Sequence, residues 1–94
     1  MKYFQSYNRL MITIHSKLVE GRERTYIYSK NDFFRGKLII KQFDDRIEFI
    51  KPTPCYNGRT YNFTKMGQCV ICESILPVGN YEYTVENDKA IIEL

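Results

Sequence analysis

The stretch Gly36–Lys51, GKLIIKQFDDRIEFIK, decides the fold, because it returns without a gap forty-three residues later as Gly79–Leu94, GNYEYTVENDKAIIEL. The two match in pattern rather than identity: Gly36 falls on Gly79, Asp45 on Asp88, Arg46 on Lys89 and Phe49 on Ile92. Each holds two strand-like runs around a pair of turn residues, Asp44-Asp45 and Asn87-Asp88, the pattern of a β-hairpin. Counting outward sets Lys41 opposite Glu48 and Ile40 opposite Phe49. In the second stretch it sets Glu86 opposite Lys89, Val85 opposite Ala90, Thr84 opposite Ile91, Tyr83 opposite Ile92 and Tyr81 opposite Leu94. One face of each hairpin is then apolar and the other polar, as a half-buried antiparallel pair requires. A slip of one residue would bury the charged face, so the register is specified. Ile40, Phe49, Tyr83 and Ile92 are the expected core positions.

The repeat extends upstream, laying Arg24–Arg35 over Gly67–Val78. The chain therefore divides into pseudo-repeat halves of about 10–51 and 59–94 within a single domain, 1–94. Leu10–His15 reads as a strand, Glu20-Gly21 as its turn and Arg24–Tyr28 as the return, with Ile14 opposite Ile27 and His15 opposite Tyr26. Ser29–Arg35 predicts a short helical turn capped by Ser29 or Asn31 and ended by Gly36. Pro52-Thr53-Pro54 is a stiff connector between the halves, and Asn57-Gly58 is a strong hairpin signal. Thr60–Thr64 is expected to pair with Cys69–Cys72 across Met66-Gly67, setting Phe63 opposite Val70. Residues 1–9 read as an arm or a short edge strand. The fold class is all-β: a small barrel or sandwich of hairpins from an internal duplication, with at most one or two short helical turns.

Ninety-four residues bury only a modest core, and a chain this small often completes itself as a homodimer. Eight tyrosines, six phenylalanines and no tryptophan, with β-branched residues in short runs, favour strands. The formal net charge of +3 is too small to identify a partner. Its distribution is more informative. Residues 1–52 hold eleven Lys/Arg and six Asp/Glu, and residues 53–94 hold three and five. Similar hairpins with opposite charge predict different tasks for the two halves, or drift on two solvated surfaces. No apolar run is long enough to span a membrane, and MKYFQSYNRL lacks the apolar core of a signal peptide. Three cysteines, an odd number, argue against a disulfide framework and for a reducing cytoplasm.

Cys69-Val70-Ile71-Cys72 spells C-x-x-C, but redox pairs of that kind need a helix N-terminus, and this run is strand-like. Two packed, inert thiols are expected, with neither a disulfide nor a metal. Cys55, Cys69, Cys72 and His15 match the number of zinc ligands but lack a second close-spaced pair. His15 has no serine or cysteine motif around it, Asp44-Asp45 is explained by a turn, and no glycine-rich phosphate loop occurs. A non-enzymatic protein without a cofactor is expected.

The remaining candidate is the basic first half. Lys17, Arg22, Arg24, Lys30 and Arg35 lie in or beside loops, with Lys37 nearby and Tyr26 and Tyr28 among them. Cations interleaved with aromatic rings suit phosphate contacts and stacking, although Glu20, Glu23 and Asp32 dilute the patch. These cations are expected on one surface that binds duplex DNA. The competing class is a protein-binding module, for example a small phage or mobile-element protein that occupies a host or virion protein through an edge strand and exposed tyrosines.

The order of these elements resembles the AbrB-type swapped-hairpin family of DNA-binding regulators and antitoxins. RTYIYSKNDFFRGKLIIKQFDDRIEFIKP and MGQCVICES…LPVGNYEYTVENDKAIIEL carry the resemblance, as two fused units over most of residues 10–94. It implies a barrel of two interlocked units and places the DNA-contacting positions on Arg22 and Arg24, with only Lys65 in the second copy. The family's Ile-Pro step is missing, since Ile27 is followed by Tyr28 and Ile71 by Cys72, and the helix is shorter in both copies.

Overall fold

In a computed structural model, which describes residues 10–71 and 75–94, the protein is all-β. Nine strands form among the described residues: β1 (Met11–Val19), β2 (Arg22–Tyr28), β3 (Gly36–Gln42), β4 (Arg46–Ile50), β5 (Tyr61–Phe63), β6 (Gln68–Ile71), β7 (Gly79–Glu82), β8 (Thr84–Glu86) and β9 (Lys89–Glu93). They make two antiparallel sheets, ordered β6-β2-β1-β7 and β5-β3-β4-β9-β8. No helix among the described residues is long and apolar enough to cross a membrane.

The three hairpins follow their turn chemistry. Glu20 and Gly21 both take positive φ, 52° and 80°, which matches the right-handed twist of the flanking strands. Ile14 pairs with Ile27 and His15 with Tyr26, as the sequence predicts. Around Asp44-Asp45, Ile40 pairs with Phe49 and Lys41 with Glu48. Around Asn87-Asp88, Glu86 pairs with Lys89, Val85 with Ala90 and Thr84 with Ile91. Asn87 carries the positive φ there, 54°, which asparagine tolerates better than most residues.

Beyond Thr84 the predicted ladder ends. Tyr83 does not face Ile92, nor Tyr81 Leu94: the chain bends at Tyr83, whose N–H donates to the Leu10 carbonyl (3.0 Å). Past the bend β7 joins the other sheet, with Ile12 opposite Tyr81 and Ile14 opposite Gly79. One bent strand thus supplies an edge to both sheets, a common way for stacked sheets to turn a corner.

The opposite corner is the Thr64–Gln68 turn, where the Thr64 N–H donates to the Gln68 carbonyl and the Gly67 N–H to the Thr64 carbonyl, both at 2.9 Å. Here too the pairing differs from expectation. Phe63 lies opposite Gly36, and Val70 opposite Tyr26, because β5 extends the β3 edge and β6 extends the β2 edge. No strand flanks Asn57-Gly58, which lies in an exposed connection.

Exchanging β1 with β5, β2 with β6, β3 with the β7–β8 strand and β4 with β9 carries the β1–β7 pairing onto β5–β3 and the β3–β4 pairing onto β8–β9, and returns β2–β6 and β4–β9 to themselves. The β1–β2 pairing alone has no counterpart, because β5 and β6 do not pair. At the centre of the β4–β9 ladder, Glu48 faces Ile91, its counterpart forty-three positions on. The Lys51 N–H donates to the Asp88 carbonyl (2.9 Å) and the Leu94 N–H to the Asp45 carbonyl (3.0 Å), two bonds related by the same offset. The halves are therefore joined about a local two-fold.

Ile12, Ile27, Leu38, Ile47, Phe49, Phe63, Cys69, Tyr83, Ala90 and Ile92 fill the space between the sheets, while Ile40 is only half-buried. At the centre stands Phe34, fully buried, its ring edge-on to Phe49 and Tyr83 with centroids 5.1 Å away. Phe34 comes from the segment expected to be a helical turn, which forms tight turns instead. Asn31 Oδ1 accepts from the Phe33 N–H (2.8 Å), Ser29 Oγ accepts from the Asn31 N–H (3.2 Å), and the Phe34 N–H donates to the Asn31 carbonyl (3.0 Å). These side chains offer the backbone an alternative to a continued helix. On the outer face of the second sheet, buried Glu48 accepts from Arg46 Nε (2.7 Å) and lies 3.5 Å from Lys89 Nζ. The Arg46 hydrogen bond holds the Glu48 carboxyl below the usual carboxylate range.

Candidate nucleic-acid interface

The β1–β2 hairpin is longer than the strands beside it. The β7 ladder ends at Ile14 and the β6 ladder at Thr25. The hairpin from Ser16 to Arg24 therefore projects as a two-stranded ribbon without a flanking strand among the described residues. Five residues past Ile14 at about 3.3 Å each make it roughly 16 Å long.

Alternation sorts its side chains. Lys17 pairs with Arg24 and Val19 with Arg22, so Lys17, Arg22 and Arg24 share one face. All three are exposed, and neither arginine forms an ion pair with a described carboxylate. The opposite face carries Ser16, Leu18 and Glu23, with Ser16 Oγ donating to Glu23 Oε2 (3.3 Å). Glu23, which dilutes the patch in sequence, is thus turned away from the cations. At the base of the cationic face His15 stacks on Tyr26, with centroids 5.2 Å apart and planes at 9°, and the Lys17 ammonium lies 5.2 Å from the Tyr26 centroid.

Lys30 and Arg35 do not join this face. Six residues separate Arg24 from Lys30, roughly 20 Å along an extended strand, and Lys30 lies past the far end of β2. The Arg35 guanidinium is occupied: Nη1 donates to the carbonyls of Ser29 (3.3 Å), Asn31 (3.0 Å) and Phe34 (2.9 Å), and Nη2 to that of Lys30 (3.2 Å). It holds together the turn that presents Phe34. The single surface expected of all five cations resolves into a ribbon triad of Lys17, Arg22 and Arg24, an exposed Lys30, and a structural Arg35.

Compared with known protein families, curated proteins and solved structures, the chain shows no match.

The other candidate chemistries have little geometry behind them. No group of three or more His, Cys, Asp or Glu among the described residues could hold a metal ion. Cys55 and Cys69 are free thiols, and Cys72 lies outside the described residues, as do residues 1–9. Burial raises the Cys69 thiol to about 11, which leaves on the order of one thiolate per thousand at pH 8. Alkylation of the folded protein at that pH, followed by peptide mapping, is expected to modify exposed Cys55 promptly and Cys69 only after unfolding. Equal rates at the two sites would contradict the packing of β6 against β2.

Proposed function

We propose that this chain is a non-enzymatic DNA-binding protein that lays its β1–β2 ribbon against a duplex. The observation that carries the reading is the alignment of Lys17, Arg22 and Arg24 on one face of a projecting two-stranded ribbon, with Glu23 on the other. A ribbon of this kind fits the major groove, about 12 Å wide. Arg22 and Arg24 are also the positions the swapped-hairpin resemblance assigns to DNA contact. The local two-fold between the halves supports the same reading, since two interlocked units form that family's barrel. Among the described residues the second half has no equivalent ribbon, because β5 and β6 are joined by a tight turn with Lys65 alone. One chain then offers one half-site. The odd number of cysteines, three, supports a reducing cytoplasm as the place of action.

Fluorescence anisotropy with generic duplex DNA tests this reading. Three phosphate contacts predict an affinity that falls about 40-fold between roughly 50 and 200 mM salt. A protein-binding module is the second reading, favoured by the edge of β1 beyond Ile14, which no described strand pairs, and by Leu18, 74% exposed on the ribbon. Absence of duplex binding at the lower salt would select it.

A further inference from the structure

Where β5 and β6 leave their turn they pair away from each other, β5 with β3 and β6 with β2. A cleft of about 400 Å³ opens along this seam between the two sheets. Two phenol rings (Tyr26 and Tyr61), two carboxamides (Asn62 and Gln68) and one guanidinium (Arg59) line it, and none of its lining residues is acidic. The Arg59 guanidinium lies 4.8 Å from the Tyr61 ring centroid. Tyr26 is shared: it lines the cleft and also carries the Lys17 ammonium over its ring, so the cleft opens beside the cationic ribbon.

This composition matches one ligand chemistry. Tyrosine rings stack on the π-face of any base, carboxamides offer a donor and an acceptor to a base edge, and arginine meets a phosphate. A cleft of this size has room for a single nucleotide and none for a base pair lying in its stack. We infer that the seam between β5 and β6 binds one unpaired nucleotide of a DNA whose duplex part lies on the ribbon. The inference rests on the nucleic-acid reading above for the position of the duplex, and on the cleft alone for the base.

Three probes separate the two claims: a blunt duplex, the same duplex with a single-stranded thymidine extension, and oligothymidylate alone. The extension is expected to raise affinity about tenfold, the equivalent of one stacked base. Tyr61→Leu keeps an apolar side chain against the core but removes the ring, and should abolish that gain while leaving blunt-duplex affinity unchanged. Asn62→Ala, at an exposed position whose loss does not threaten folding, should reduce the gain several-fold. Equal affinity for blunt and extended duplexes, or a gain that survives both substitutions, would overturn the inference. Oligothymidylate binding that needs Tyr61, with no binding of the blunt duplex, would uphold the cleft and remove the ribbon.

Discussion

Phe34→Ala is expected to destabilise the protein by about 3–5 kcal/mol, the largest effect of any single truncation in this chain. Phe34 is fully buried and packs on four aromatic rings: Phe49 and Tyr83 at 5.1 Å, Phe33 at 5.2 Å and Phe63 at 5.5 Å between centroids. Those partners come from β4, from the bend between β7 and β8, from the neighbouring turn position and from β5, so one side chain packs on the second sheet and on residues next to both corners. The walls are held by ladders and cannot collapse into the space a phenyl ring leaves, which adds a cavity cost to the lost burial. Domains of this size have roughly 5–15 kcal/mol in total. Thermal unfolding should move down by roughly 15–30 °C. Phe34→Leu, which keeps most of the volume, should cost far less. A midpoint within a few degrees of wild type for Phe34→Ala would mean that the core is organised around another residue.

Gly67→Ala is expected to cost about 2–4 kcal/mol, by a different mechanism. Gly67 sits in the corner turn with φ +83°, a conformation that costs an L-residue about 1–2 kcal/mol. A Cβ there would also collide with the Ser29 carbonyl oxygen and with Nη1 of Arg35. Neither neighbour gives way easily. The Ser29 N–H donates to the Gly67 carbonyl (3.0 Å), and the Ser29 carbonyl is held by the same arginine that gathers three others. The clash therefore reaches the turn that presents Phe34. Gly21→Ala is the natural control: its φ is +80°, yet nothing lies within 4 Å of the added carbon. Chemical denaturation of the two variants separates backbone strain from collision, and Gly67→Ala should be worse by at least about 1 kcal/mol. Equal losses would show that Ser29 and Arg35 do not press on Gly67.

Much of this architecture is legible in the sequence where two local signals agree. At Glu20-Gly21, Asp44-Asp45 and Asn87-Asp88, turn chemistry and period-two alternation point to the same register, and the observed pairs follow it. The corners are not legible, for a physical reason. A strand that bends from one sheet into another keeps its alternation, so Tyr81 and Tyr83 give no sign that their partners change from β9 to β1 and Leu10. The like charges of Glu82 and Glu93, which would face each other in the continued hairpin, are the one sequence feature that argues against it. At Met66-Gly67 the turn is visible, but the partners of β5 and β6 lie more than twenty residues away, at Gly36 and Ile27, beyond any local pattern. Phe34 escapes period-two reading because it plugs the core from a turn.

The ribbon triad follows once Ile14 is set opposite Ile27, since the same count puts Lys17 opposite Arg24. The commitment of Arg35 to backbone carbonyls leaves no mark in its spacing. The cleft leaves none either, because Tyr26 and Tyr61 meet only through the seam between the sheets.

The most direct measurement is the slope of log affinity against log salt for duplex DNA, taken for wild type and for Arg22→Ala/Arg24→Ala. Each phosphate contact contributes about 0.9 to that slope. The double variant should bind more weakly and lose nearly two from the slope, with little change in thermal stability, since both side chains are exposed. Lys41→Ala/Lys89→Ala, on strands of the second sheet, should change the slope much less. A slope unchanged by Arg22→Ala/Arg24→Ala, or lowered equally by the control pair, would contradict a DNA-binding ribbon.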